Sequence, residues 1–578
     1  MKVKIILLVF IATSLFAQVE KTGVNLNKVE RWELLDSVQN TKDWVKSRSA
    51  VNVKDYGAVG DGVTDDTEAI QSALDDGGTI ILGDAHLVTS SLRVYSNSKI
   101  IGHNTTIDAS SIGADNVFEV YGTISGASTL TGNASKGDTQ ISLSETNFTS
   151  GGYLKIYSDE VYTNTSLKRG EIVRVDSTET GVVHLKEPLN HDYTTANTAK
   201  AVAITPAENV LFEGITIEGN TSFYATIGIW LNYTKNVIVR NCSFKKTHHA
   251  GVLVRNSIDV IVEDVKCEDF IDQGDGAGVM VMSAGRNITV DKVTAFNLRH
   301  LVTTGGYVSD NGGVTGLSVI NCYASNTSAP AIDTHAGSEY VNFSYNTIKG
   351  GKGIQMRSSV FTITHNQIIN VDIGIYITPY DTNPTRGVVS NNNIQTPTSY
   401  GIMLTFPSGY DTISYLTVEN NEIYNAGSYA IGFPSDASAN NENISIIGNT
   451  IYSAGNINSI YIRTLSNSQI SDNKIYGDGG NSGIYIRYSS NINVNRNYIY
   501  DFSIGVELYN ATLIEVSGNK FNGATYGVYV GTSSSYYFAP FEGIKNGTLA
   551  SPPSTIQNDE IWMDTTDSAT QPILRIKK

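Results

Sequence analysis

The chain is short of charge: of 578 residues only 17% are Asp, Glu, Lys or Arg, against roughly 25% in an ordinary soluble domain. Long helices lean on Ala, Leu, Glu and Lys, so a chain with few charges, 53 Gly, 32 Tyr and roughly fifty Asn is not helical. Those residues belong to strands and tight turns. Positive charge is in deficit, 40 Lys+Arg against 56 Asp+Glu, which argues against nucleic acid as a partner because phosphate binding draws on basic stripes. Cysteine is scarce. Cys242, Cys267 and Cys322 are odd in number and lack CxxC or His-spaced zinc patterns, so they are expected as small buried hydrophobes. Beyond the leader no run of 18 apolar residues exists, which excludes a helical membrane span. Disorder is excluded by the 40% of hydrophobic residues, enough for a large core.

What is present begins with a leader. Lys2 and Lys4, an apolar run from Ile5 to Phe16 and Ala17 before Gln18 form a secretory signal pattern over residues 1–17. The expected location is secreted, extracellular or periplasmic. Removing two Lys leaves 38 basic against 56 acidic residues, a net charge of −18.

A repeat then decides the fold. The phrase apolar-x-x-Asn-x-apolar recurs as FSYNTI, ITHNQI, VSNNNI, VENNEI, IIGNTI, ISDNKI, VNRNYI and VSGNKF, with Asn346, Asn366, Asn392, Asn421, Asn449, Asn473, Asn497 and Asn519 in the slot. Upstream Cys242, Val265, Val293 and Cys322 take that place, giving twelve turns of about 25 residues. A second phrase, Gly-apolar-x-apolar-x, reads GIWLN (228–232), GVLVR (251–255), GIQMR (353–357) and GIYIT (374–378). Two short alternating strands per turn with no helix between them describe an all-β, single-stranded right-handed parallel β-helix. Recurrent Asn predicts a ladder of amides along the rod, and at about 4.8 Å per turn the twelve turns predict a length of roughly 60 Å.

Residues 51–82, VNVKDYGAVGDGVTDDTEAIQSALDDGGTIIL, read as a strand, a Gly-rich turn and an amphipathic capping helix with Asp65 or Thr64 as N-cap. Asp61, Asp65 and Asp66 have the composition of a cation loop but are expected to cap and turn the chain. This segment resembles the opening of the pectate-lyase superfamily of right-handed β-helix proteins, including polygalacturonase-like enzymes and phage tailspikes. The reading thus divides the chain into the leader, an N-terminal segment (18–50), cap and first turns (51–122), an inserted small β subdomain (123–205), the main β-helix (206–531) and a C-terminal tail module (532–578).

Positions two and four after the Gly slot face outward, so the turns stack into two surface columns. Stacking the phrases places Met280, Val302, Asp333, Gln355 and Tyr376 in the first, and Met282, Thr304, His335, Arg357 and Thr378 in the second. Asp333 and His335 therefore share one turn, with Gln355 and Arg357 on the next. His248, His249 and His300 fall on neighbouring turns, with Arg299 beside His300, and Asp272 and Asp275 precede the strand between. His exchanges protons near neutral pH and Asp orients it. The guanidinium groups of Arg255, Arg299 and Arg357 suit carboxylates, sulfates or phosphates. Tyr376 and Tyr380 are candidates for stacking sugar rings.

The phrases RHLVTTGG, PAIDTHAGSE and GIQMRSS resemble a set in phage tail-appendage β-helix proteins that degrade host surface polymers, which carries over to Arg299, His300, Asp333, His335 and Arg357 as catalytic residues. His248, His249, Arg255, Asp275, Gln355, Tyr376 and Tyr380 are the expected substrate contacts. The polygalacturonase signature of paired Asp, Gly-His-Gly and Arg-x-Lys is not matched. Rich in His and Arg and poor in carboxylates, the cluster favours a lyase acting by β-elimination on an anionic polysaccharide over a glycoside hydrolase or a tailspike-type binding rod. No metal site or cofactor is expected, with a calcium ion left open, and the chain is expected as a monomer or homotrimer.

Overall fold

At every repeat of the Asn phrase the chain turns a corner, and the residue before the slot takes the left-handed conformation. Tyr345, His365, Asn391, Asn420, Gly448, Asp472, Arg496 and Gly518 all do so, with φ between 53° and 67°. Left-handed backbone costs an L-residue roughly 1–2 kcal/mol, so the six corners without glycine need compensation. The slot Asn supplies it. Asn366 donates its backbone N–H (3.0 Å) and its Nδ2 (2.9 Å) to Oδ1 of Asn392, and Nδ2 also reaches the Phe343 carbonyl at 2.9 Å. The same two-donor bond links Asn346 to Asn366 and Asn497 to Asn519, so the amides form the expected ladder. Upstream, Cys322 begins it by donating its N–H to Asn346 Oδ1 at 3.0 Å. The three cysteines are buried thiols as expected, and burial pushes Cys242 and Cys322 up to about 12.

The computed structural model describes residues 50–531 except 114, 163–164, 220–226, 271–275, 306–310, 379–384, 406–412, 435–440, 454 and 456, together with strands Lys545–Gly547, Ile561–Asp564 and Ile573–Ile576. The leader lies outside the described residues. The fold is a parallel β-helix, but its turns contribute to three sheets, in most turns as three separate strands, where the sequence patterns suggest two. The Gly phrase builds the first sheet, as in Ala250–Arg255, Ala277–Met282 and His300–Gly305. A second sheet stacks Ile258–Glu263, Arg286–Asp291 and Thr315–Ile320, and a third stacks Lys266–Glu268, Thr294–Phe296 and Tyr323–Ser325. The Asn phrase hides this division because it straddles the corner between the second and third sheets. Inward Val, Ile, Leu and Phe of all three merge into one core. Glycine opens the first-sheet strands because successive turns touch there: a Cβ on Gly374 would sit 2.4 Å from the Gly401 carbonyl oxygen.

The capping helix spans Thr67–Asp76 and buries Ile70, Ala73 and Leu74 against the first turns. Its N-cap is Asp66, one residue later than expected. Asp65 still accepts the Thr67 N–H at 3.0 Å, whereas the Asp66 carboxylate accepts from the N–H groups of Val59 and Gly60 and from the buried His86 ring at 2.7 Å. Residues 123–205 form a separate seven-stranded antiparallel sheet with its own core around Leu154, Ile156, Val173 and Ala201. At the far end Ile573–Ile576 pairs antiparallel with Ile561–Asp564 and meets the last described turn through a backbone pairing of Val528 with Leu574.

Candidate active site

The inserted sheet does not stand clear of the helix. Ile172 and Ile204 pack with Ile258 and Ala284, Arg286 pairs with Glu187 at 3.1 Å, and the buried Lys155 ammonium donates to Asn256 Oδ1 at 2.7 Å. Asn311 Nδ2 reaches back to the Ser158 carbonyl at 3.2 Å. This seating brings Thr165, Ser166 and Leu167 of the insertion over the first sheet, where they wall a cleft of about 830 Å³. Seven of the expected site residues line its floor and sides: His249, Arg299, His300, Asp333, His335, Gln355 and Arg357.

Register explains the convergence. Thr303, Asp333 and Gln355 are successive partners along the first sheet, so Asp333 stands one turn from each. The stacked phrases put Val302 and Thr304 in the outward columns. The structure moves that turn by one residue: Val302 lies in the core opposite Val279 and Ile332, and Thr303 takes the outward position. The strand beginning at His300 lacks the phrase's glycine, with Leu301 in its place, and so offers no marker for the register.

Within the cleft Asp333 is nearly fully buried, with Oδ2 at 3.6 Å from Arg357 Nη1 and 3.9 Å from His335 Nε2. Asp333 Oδ1 is buried with no hydrogen-bond partner in the described structure. His335 is oriented from below: its backbone N–H donates to Thr304 Oγ1 at 2.7 Å, and Nδ1 meets the Thr304 carbonyl. A carbonyl only accepts, so Nδ1 carries the proton and Nε2 presents its lone pair toward Asp333 and the cleft. Burial lowers the His335 pKa from the usual 6.5; the Asp333 charge opposes that shift and Arg357 reinforces it. His300 is held at both nitrogens, Nδ1 donating to the Pro330 carbonyl at 2.7 Å and Nε2 accepting from Arg299 Nε at 3.0 Å. Burial lowers its pKa as well. Both rings are thus neutral bases near neutral pH, but only His335 has a nitrogen aimed into the cleft.

Other expected contacts fall elsewhere. His248 is buried and does not line the cleft; Arg255 lies by Lys155 under the insertion; Tyr376, one turn past Gln355, bonds Thr405 Oγ1 at 2.7 Å. Asp272, Asp275 and Tyr380 lie outside the described residues. Sequence reasoning missed Lys352, which also lines the cleft and pairs in register with Pro330. It missed the Thr165–Leu167 wall too, for which the sequence carries no signal. Among the described residues, no group of three or more His, Cys, Asp or Glu is arranged to hold a metal ion.

Comparison with known proteins bears on the fold. The family model described as a right handed beta helix region matches residues 228–387 and 374–540, and one described as rhamnogalacturonase A/epimerase, pectate lyase-like, matches residues 50–275. No curated protein matches. Among solved structures, the chain is similar to the tailspike of Pseudomonas phage phi297 at 14% identity and a TM-score of 0.57, covering 92% of this chain and 97% of that one. It is similar also to the tailspike of Acinetobacter baumannii bacteriophage AP22, solved with a capsular saccharide, at 12% identity and a TM-score of 0.56, covering 87% and 80%. With the helix model spanning more than half of its residues and the pectate-lyase-like model covering its opening turns, the chain belongs to the right-handed parallel β-helix proteins of the pectate-lyase superfamily.

Proposed function

We propose that the protein is an extracellular polysaccharide lyase that cleaves an anionic glycan by β-elimination in the cleft under the inserted subdomain. The observation that carries this reading is the charge of the cleft lining. Arg299, Lys352 and Arg357 face a single carboxylate among the described residues, Asp333. Glycoside hydrolysis uses two carboxyls about 5–9.5 Å apart, whereas elimination needs a cation for the substrate carboxylate and a neutral base.

Each part has a residue. Arg357, oriented by Asp333, binds the uronate carboxylate and stabilises the negative charge that develops there when C5 loses its proton. His335 Nε2 takes that proton. The C5–H electron pair forms the C4–C5 double bond, the C4–O4 bond breaks, and the leaving oxygen takes a proton from the Lys352 ammonium at the cleft wall. Arg299, buttressed by His300, holds a neighbouring acidic sugar. The similarity to tailspikes, one of them solved with a capsular saccharide, supports a surface glycan as substrate.

The test is a depolymerisation screen against uronate, sulfated and phosphate-bearing glycans, followed by ultraviolet absorbance and reducing ends. Chain shortening with an absorbing unsaturated uronate at the new end is expected. Shortening without it assigns hydrolysis, and no shortening of any anionic glycan overturns the enzymatic reading.

A further inference from the structure

The third sheet carries a second concavity, of about 530 Å³, toward the C-terminal end of the helix. A column of tyrosines leads to it. Tyr424 stacks on Tyr452 at 4.8 Å with 4° between planes, and Tyr452 on Tyr476 at 5.0 Å and 11°. At the next turn the stack breaks: Tyr476 and Tyr500 are 6.4 Å apart and tilted by 50°, and Tyr498 is tilted by 57°. Tyr476 therefore has a parallel partner on one side only, and the concavity lies at that break, lined by Tyr476 and Tyr498.

The same place gathers cations. Lys474, Tyr498 and Lys520 are register partners on three consecutive strands, so the two ammonium groups flank Tyr498, one turn to either side. Among the described residues neither lysine forms an ion pair. The third cation, Arg496, is matched by Asp472 through bonds of 2.8 and 2.7 Å. Two ammonium groups without an ion-pair partner among the described residues, beside the aromatic ring at the end of the parallel stack, form a local positive site with an apolar platform on a chain with a net charge of −16.

We propose that this groove is a non-catalytic binding site for an anionic saccharide: a pyranose ring lies on Tyr476 while Lys474 and Lys520 bind carboxylate or sulfate groups of adjacent sugars. Among the described residues no histidine and no carboxylate lines it, so it holds a polymer without cleaving it. The site is on a different sheet from the cleft, and the inference does not depend on which reaction the cleft performs.

Affinity electrophoresis of the full chain tests it, with polygalacturonate, dextran sulfate or neutral dextran in the gel. The expected result is retardation by at least one anionic polymer and none by dextran, with apparent affinity falling at least tenfold in the Lys474→Gln/Lys520→Gln double variant and in Tyr476→Ala. The Lys474→Arg/Lys520→Arg double variant should restore binding, and Arg357→Gln in the cleft should retain it. Hydrolysis or elimination of short soluble oligosaccharides should be unchanged in the lysine variants. Equal retardation of wild type and the Gln variant, retardation by no anionic polymer, or equal binding to duplex DNA and anionic phospholipid vesicles would each overturn the proposal.

Discussion

His335 can act as a base because of where its other nitrogen points. With Nδ1 committed to the Thr304 carbonyl, the lone pair on Nε2 is directed into the cleft, and burial keeps the ring neutral. His335→Ala should lower kcat/KM by about 10²–10⁴ while leaving thermal unfolding unchanged, since general-base catalysis contributes that much. The active form is the unprotonated ring, so kcat/KM should be flat at neutral pH and fall as pH drops through the His335 pKa, below 6.5. The neighbours set the direction of further shifts. Asp333 raises that pKa and Arg357 lowers it, so Asp333→Asn should move the acid limb of the pH–rate profile to lower pH and Arg357→Gln should move it to higher pH. A limb that stays put in both variants assigns the base to another residue. His335, Asp333 and Arg357 were legible in the sequence because alternation along strands and stacking between turns are simple arithmetic. Tyr376 followed the same arithmetic and does not reach the cleft, because facing outward from the sheet is not the same as being roofed.

Among elements, the Asn ladder shows how a repeated residue holds a repeated shape. Asn421 Oδ1 accepts from both the backbone N–H (3.0 Å) and Nδ2 (2.9 Å) of Asn392, while its own amide reaches Asn449 and the Val389 carbonyl. Asn421→Ala strands two buried donors of Asn392. At roughly 1–3 kcal/mol for each unsatisfied group, a loss of about 2–6 kcal/mol in urea unfolding is expected. Asn421→Asp should lose at least as much, because its second oxygen would face the buried Asn449 Oδ1 and Val389 carbonyl that Nδ2 now serves. The cap supplies a second case. His86 lies with Nδ1 at 2.7 Å from Asp66 and Nε2 at 2.9 Å from the Leu82 carbonyl, both facing acceptors inside the core. Breaking a buried pair by removing one partner costs about 3–5 kcal/mol, so Asp66→Ala should cut stability by that order, measured by thermal unfolding of the full chain. The Asn repeat was plain in the sequence, yet it concealed the third sheet: its two apolar positions flank a corner, and periodicity alone does not mark a change of sheet.

For the whole molecule, the seat of the insertion matters most. Lys155 is buried with its ammonium donating to Asn256, its one hydrogen-bond acceptor among the described residues, and burial pulls its pKa down from 10.5 to about 7. A folded-state pKa below the unfolded one means that folding favours the neutral form. Its contribution to stability is then complete above 10.5 and is lost as pH falls toward 7. Thermal stability should therefore rise from about pH 7 upward by as much as ~1.4 kcal/mol per pH unit, and Lys155→Met should flatten that rise. A pH dependence identical in both proteins would show that Lys155 meets water in solution. Buried Glu171, raised to about 7 by burial, acts with the opposite sign: its contribution fades as pH climbs from 4.5 to 7.

The sequence by itself determined the helix, the amide ladder, the interruption at 123–205 and the meeting of Asp333, His335 and Arg357, because all of these follow from period-two strands stacked at a constant spacing. Only the tertiary structure decided that the insertion folds back over those turns. It made an open column into a roofed cleft, shifted the register at His300 by one residue, and left a gap in the tyrosine stack beside Lys474 and Lys520. Such contacts depend on how separate segments pack in space, and no local pattern encodes them.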